Sequence, residues 1–202
     1  MHGEAIDWVI LNTVKDGLEM PTGETHNGKE IKNYLHYKFD SLTEQPIYKR
    51  VLDLGSLDIN GTLRNYHFLH EDSPLWIDLI QCKEYTGIDL MEGPSVDMVM
   101  NSHKLSFPDN TFDLVMSLNV LEHDSDPQAT ISEGARVMKL GGTFIIACPI
   151  ETFLEHKELG GGDCETYNFI TSEKLKEWID KAGLKINKII RTEIGHLVNA
   201  TK

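Results

Sequence analysis

From Lys49 onward the chain alternates short apolar runs with stretches of helical period, and few folds satisfy that pattern. The runs are RVLDL (50–54), EYTGID (84–89), VDMVM (96–100), FDLVMSL (112–118) and TFIIACP (143–149). Their length and their flanking turn residues mark them as strands. Strands that alternate with helices predict an α/β fold around a mostly parallel sheet. Helices are expected over TLRNYHFLHED, again from Ser73-Pro74 as N-cap and first position, and from Asp126-Pro127 through Leu140 with Gly141-Gly142 as the stop. A last helix, SEKLKEWIDKAG, is capped by Thr171 and ended by Gly183; Leu175, Trp178, Ile179 and Ala182 share one face. KINKIIRT and HLVNATK predict two closing strands, paired as a hairpin across EIG. A parallel crossover normally takes about a dozen residues or more. LMEGPS, between strands two and three, is too short for one, so a tight loop is expected there, and NSHKLSFPDNT leaves room for at most one helical turn.

Ligands of open α/β sheets bind outside the carboxyl ends of the strands. The informative residues there are Asp53, Gly55 and Ser56 after strand one, Asp89 at the end of strand two, Asn101, Ser102 and His103 after strand three, and Leu118, Asn119, Val120, Glu122 and His123 after strand four, with at least one polar group at each strand end. The first of these turns, GSLDING, has glycines only at Gly55 and Gly61. A dinucleotide loop requires them at its first, third and sixth positions, where Leu57 and Asn60 stand in the last two. The residues alone leave three readings: a broken nucleotide site, the site of another cofactor, or a plain strand-to-helix turn.

Five segments, VLDLGS, YTGIDL, NSHKLSFPDNTFDLV, SLNVLEHDSDP and VMKLGGTFIIACP, together resemble the class I S-adenosylmethionine-dependent methyltransferases in order and spacing. The resemblance covers residues 49–202, the expected S-adenosylmethionine-binding domain, and leaves residues 1–48 as an N-terminal appendage or substrate cap. It implies a Rossmann-like fold with a mostly parallel seven-stranded sheet and an antiparallel strand near the C-terminus. It also implies S-adenosyl-L-methionine as cofactor and S-adenosyl-L-homocysteine as product. The family's loop has glycine where Leu57 stands. S-adenosylmethionine lacks a pyrophosphate and demands less of the glycines, and Gly61 is expected to let the backbone reach the helix start.

The resemblance and the shape of the cofactor assign roles. Asp89, an acceptor-only carboxylate, takes both ribose hydroxyls, with Leu90 beside it. Asn101 meets the adenine edge with the Ser102 backbone, and His103 adjoins them. Gly55 and Ser56 admit the methionine tail; Asp53 and the Leu118 and Asn119 carbonyls face its ammonium. Each residue also has a plain structural reading: a turn cap for Asp89, an Asx turn for Asn101, a strand end for Leu118 and Asn119, a loop or helix-start histidine for His103 and His123. No catalytic residue is assigned. ELGGGDCETYNF is read equally as a lid over the acceptor or as a solvated loop, and GEAIDWVILNTV as a helix shaping the acceptor pocket.

Composition narrows the function. The 202 residues carry a net charge of −13, which disfavours a nucleic-acid acceptor. SLNVLEH replaces the Asp/Asn-Pro-Pro-aromatic motif of amino-methylating base methyltransferases, and the Pro-Cys of the carbon-5 type is absent. An NAD oxidoreductase fails on glycine spacing and on Asp89, which lies well past the roughly 20 positions expected for the ribose acid. Three cysteines without paired spacing point to a cytoplasmic chain without a metal, and neither a secretory signal nor a membrane span is expected. The expected function is methyl transfer to a small molecule; the alternative is a non-catalytic partner of the same fold. Oligomeric state is not encoded in any feature above.

Overall fold

The computed structural model describes residues 48–57, 80, 82–150, 167–192 and 195–202. The expectations for the N-terminal segment, for the two helices between Thr62 and Gln81, for Gly61 and for most of the loop after strand five lie outside these residues. The elements are β1 (Tyr48–Leu54), β2 (Cys82–Asp89), β3 (Met98–Val99), β4 (Phe112–Leu118), α1 (Pro127–Val137), β5 (Met138–Pro149), α2 (Ser172–Lys181), β6 (Lys185–Arg191) and β7 (Gly195–Thr201). They form one seven-stranded sheet in the order β3-β2-β1-β4-β5-β7-β6. Strands β1 to β5 pair in parallel, and β7 runs antiparallel to both β5 and β6. This is the Rossmann-like arrangement, and the β6–β7 hairpin falls where the sequence pattern put it, with Arg191 opposite His196.

Strand order reverses between β1 and β4, so the carboxyl ends of these two strands border the switch-point crevice. One sheet face carries Leu52, Leu54, Val115, Phe144 and Ile146, closed by Ile131, Ala135 and Val137 of α1 and by Leu175, Trp178 and Ile179 of α2. Both helices start as their sequences dictate. The Asp126 side chain accepts from the Ala129 amide at 3.1 Å, and Thr171 Oγ1 accepts from the Lys174 amide at 3.2 Å. Such a cap contributes about 1 kcal/mol. Gly183, at φ +74°, ends α2 as expected.

One boundary differs. Helix α1 stops at Val137 rather than Leu140, because Met138 turns extended, is fully buried and pairs with Phe112 as the first residue of β5. Gly141-Gly142 therefore lies inside β5, where the register jumps from Phe112↔Met138 to Leu114↔Thr143. Burial of an apolar side chain in the ladder outweighs one more helical turn. The two short links contain no helix: 90–97 and 100–111 are turns and bends.

Candidate functional site

The crevice begins where β1 and β4 come together. Gly55 has φ +71°, and a Cβ there would lie 2.3 Å from Val120 Cγ2. Only glycine satisfies both the left-handed backbone and that approach. Asn119, also left-handed at φ 59°, donates its amide to the Ala147 carbonyl at 2.8 Å. The end of β4 at Leu118–Asn119 is thus joined to the Gly55 turn through Val120, whose side chain packs on Gly55.

The neighbouring strand end is buttoned to this turn. Ser56 donates its amide to the Ile88 carbonyl at 2.9 Å and its hydroxyl to the Ser95 carbonyl at 3.0 Å. Ser56 is buried, and its side chain is tied to the 90–97 loop. Gly87, within β2, carries the same loop: a Cβ there would come 2.2 Å from the Ser95 carbonyl oxygen. A glycine inside a strand pattern is the signal for such an approach, and YTGID contained it. The Asp89 carboxylate accepts the Leu57 amide at 3.2 Å on Oδ2 and the Met91 amide at 3.1 Å on Oδ1. A carboxylate offers about four lone-pair sites, so the carboxylate keeps acceptor capacity beyond these two bonds. Leu90 and Met91 beside it are exposed apolar side chains, 67% and 62% accessible. Asp53 is buried, and its carboxylate accepts the Tyr85 hydroxyl.

The loop after β3 is fixed by its side chains. Asn101 Oδ1 accepts the His103 amide at 2.8 Å in an Asx turn, which leaves its NH2 as the group it can present outward. His103 Nε2 meets the buried Asp124 carboxylate, which also accepts from Thr130 Oγ1 at 2.5 Å and from the Asp126 amide at 2.9 Å. Ser102 Oγ lies 2.7 Å from Thr130 Oγ1. The His103 and Ser102 side chains therefore tie this loop to the start of α1, and the dyad is a brace between two loops.

A second group lies beyond β4 and β5. The residues Leu121–His123 form a turn, not a helix, so Glu122 Oε1 and His123 Nε2 approach to 3.9 Å. Asn168 holds this turn: its Nδ2 donates to the Leu121 carbonyl at 2.9 Å and the Asp124 carbonyl at 2.6 Å, and its amide to the Glu122 carbonyl at 2.7 Å. The His123 and Tyr167 rings meet edge-on at 5.5 Å, and Tyr167 and Phe169 at 5.3 Å. Burial, with the neighbouring Glu122 carboxylate adding to it, raises the Tyr167 phenol above its ordinary value. Burial, with Glu122 adding to it, pushes the Cys148 thiol well above its own. Sequence reasoning passed over Asn168, Tyr85, Asp124 and Thr130, since nothing in their spacing announces long-range partners. Among the described residues no three His, Cys, Asp or Glu side chains cluster to hold a metal, and no helix is long and apolar enough to cross a membrane.

Comparison with known proteins adds a domain match over part of the chain and a fold. A family model described as a methyltransferase domain matches residues 75–146. The chloroplastic 2-methyl-6-phytyl-1,4-hydroquinone methyltransferase 2 of Oryza sativa subsp. japonica is 34% identical over 125 residues, 61% of this chain and 33% of the rice protein. The chain thus spans about a third of the length of that curated relative. An S-adenosylmethionine-dependent methyltransferase of Mesorhizobium loti superposes with a TM-score of 0.58 at 15% identity, over 83% of this chain and 96% of that one. The 1,6-didemethyltoxoflavin-N1-methyltransferase of Burkholderia thailandensis, solved with 1,6-didemethyltoxoflavin and S-adenosylhomocysteine, gives 0.55 at 15% identity, over 85% of this chain and 76% of that one. At such identities the structural likeness establishes the fold.

Proposed function

We propose that the chain, whose residues 75–146 match a methyltransferase-domain model and whose sheet is Rossmann-like, is a class I S-adenosylmethionine-dependent methyltransferase that transfers the methyl group of S-adenosyl-L-methionine to a small-molecule acceptor. The observation that carries this reading is the convergence at the switch point: the glycine-only contact between Gly55 and Val120 opens a backbone-lined turn. Asp89, with acceptor capacity beyond its two backbone bonds, lies at the adjacent strand end.

In this reading Asp89 accepts the ribose hydroxyls, and the exposed side chains of Leu90 and Met91 supply an apolar edge for the adenine. The Asn101 NH2 donates to a ring nitrogen, and the Ser102 backbone lies beside it. The Gly55–Ser56 backbone and the Leu118–Asn119 carbonyls receive the amino-acid tail, with Asp53 behind them as a buried negative group. The bound cofactor supplies an electrophilic methyl already activated by the sulfonium, so the protein's part is to align the acceptor in line and to exclude water. A base is needed only where the acceptor atom is protonated at neutral pH.

The small-molecule acceptor draws support from the rice relative, whose name gives a hydroquinone, and from the chain's charge of −13. We place the chain in the cytoplasm on its few cysteines, of which Cys148 is a buried thiol outside any disulfide. In this reading residues 49–202 are the cofactor domain and 1–48 an N-terminal appendage or substrate cap. Calorimetry with S-adenosylhomocysteine and with NAD tests the reading. A saturable S-adenosylhomocysteine isotherm without an NAD isotherm is expected; heat from neither at millimolar ligand refutes it and favours a non-catalytic partner.

A further inference from the structure

The aromatic group beyond β4 and β5 is not used by the cofactor site. We propose that His123, Tyr167 and Phe169, backed by the buried Glu122 carboxylate, form the acceptor subsite, and that it takes a planar ring that is neutral or cationic in preference to an anionic one. The inference rests on the reading above and names the acceptor class for the same crevice.

Position is the first argument. The His123 amide bonds the carbonyl of Val120 at 2.9 Å, and Val120 is the residue packed on Gly55. The three rings therefore start one turn from the switch point, on the β5 side, away from Asp89 and Asn101. Shape is the second. The rings meet edge-on in series, and the end of the series is open: Phe169 is 48% exposed and the His123 side chain 27%. A row of aromatic edges and faces is suited to a flat ring. Rigidity is the third. Three hydrogen bonds from Asn168 lock Tyr167 and Phe169 onto the Leu121–Asp124 turn, so the wall is built before any ligand arrives.

Charge selects within this class. Glu122 is fully buried, and its Oε1 lies 3.9 Å from His123 Nε2. Its effect reaches both Tyr167 and Cys148, whose neutral forms it favours. A ring bearing a carboxylate or phosphate meets the same field and is disfavoured. A neutral phenol or ring N–H is tolerated, and a cation gains both from Glu122 and from the aromatic faces.

The test uses three ring compounds alike in size: hydroquinone, tyramine and 4-hydroxybenzoate. Each is titrated calorimetrically into the full chain saturated with S-adenosylhomocysteine. Hydroquinone and tyramine are expected to bind at least roughly tenfold more tightly than 4-hydroxybenzoate. Phe169→Ala, a change at an exposed ring, should weaken both by roughly 2- to 10-fold while leaving S-adenosylhomocysteine affinity unchanged. Glu122→Gln should narrow the charge preference to within about threefold. Equal or tighter binding of 4-hydroxybenzoate, no binding of any ring at millimolar concentration, or a Phe169→Ala protein unchanged towards all three overturns the subsite and leaves the cofactor reading standing. Failure of S-adenosylhomocysteine itself to bind overturns both.

Discussion

Gly55→Ala is the perturbation that most directly probes the geometry of the crevice. Two costs arise. The residue sits at φ +71°, and an L side chain in left-handed backbone costs about 1–2 kcal/mol. The new Cβ would also lie 2.3 Å from Val120 Cγ2 and 3.0 Å from Cγ1, overpacking that costs about 1–3 kcal/mol. Together they give about 2–5 kcal/mol, a large part of the about 5–15 kcal/mol that holds a domain folded. At about 2–4 °C per kcal/mol for a chain of this size, Tm should fall by about 4–20 °C. The two costs separate in a cycle. Val120→Ala removes both Cγ atoms and leaves only a Cβ at 3.2 Å. Added to Gly55→Ala it should restore the overpacking share and not the backbone share. Gly141→Ala, at φ +75° with nothing within 4 Å, provides the backbone cost alone. Thermal melts and urea titrations of the parent, the two single variants, the double variant and Gly141→Ala are the assay. A Gly55→Ala protein as stable as the parent, or a cycle without recovery by Val120→Ala, would refute the close approach of the β1 and β4 loops.

Asp89→Ala should weaken S-adenosylhomocysteine binding by about 10- to 1,000-fold in calorimetry, and Asp89→Asn by less. Because Asp89 also holds the Leu57 and Met91 amides, Tm should fall by a few degrees at about 1 kcal/mol; a Tm loss with affinity per folded molecule unchanged would make it a turn cap only. Asn168→Ala should cost about 1–3 kcal/mol in urea melts by leaving the Leu121 and Asp124 carbonyls unpaired, and Asn168→Asp more, since a carboxylate cannot donate to them. The pH dependence has a defined sign at Glu133, whose carboxyl is held below the ordinary range by Arg136, against burial, with the Leu105 amide assisting. Its contribution is fully present above the unfolded value of about 4.3 and lost as pH falls through the lower folded one. Glu133→Gln should therefore be less stable than the parent at pH 7, by under about 1 kcal/mol, with the gap closing in melts at falling acid pH.

Local pattern determined the elements and their order. The short apolar runs became β1, β2, β4 and β5 because burial on a sheet rewards them, while the third run kept only the exposed pair Met98–Val99 as β3, and Asp126, Thr171 and Gly183 set helix ends through bonds and dihedrals made within a few residues. The length of each link chose between helix and tight loop by reach alone, and the switch point, with Gly55 and Asp89 at it, follows from strand order. Tertiary structure decided what those residues face. Ser56 turns its hydroxyl to Ser95, 39 positions away, and His103 turns its ring to Asp124; neither partner is marked by spacing. The helix through Leu140 yielded to β5 because Met138 found Phe112 on the neighbouring strand. Asn168, unremarkable in sequence, became the clamp of the aromatic wall because two carbonyls of the Leu121–Asp124 turn converge on its amide. Periodicity and caps report energies settled within one or two turns of chain, whereas these contacts join segments brought together only when the sheet forms, and their energies depend on distances that no local pattern contains.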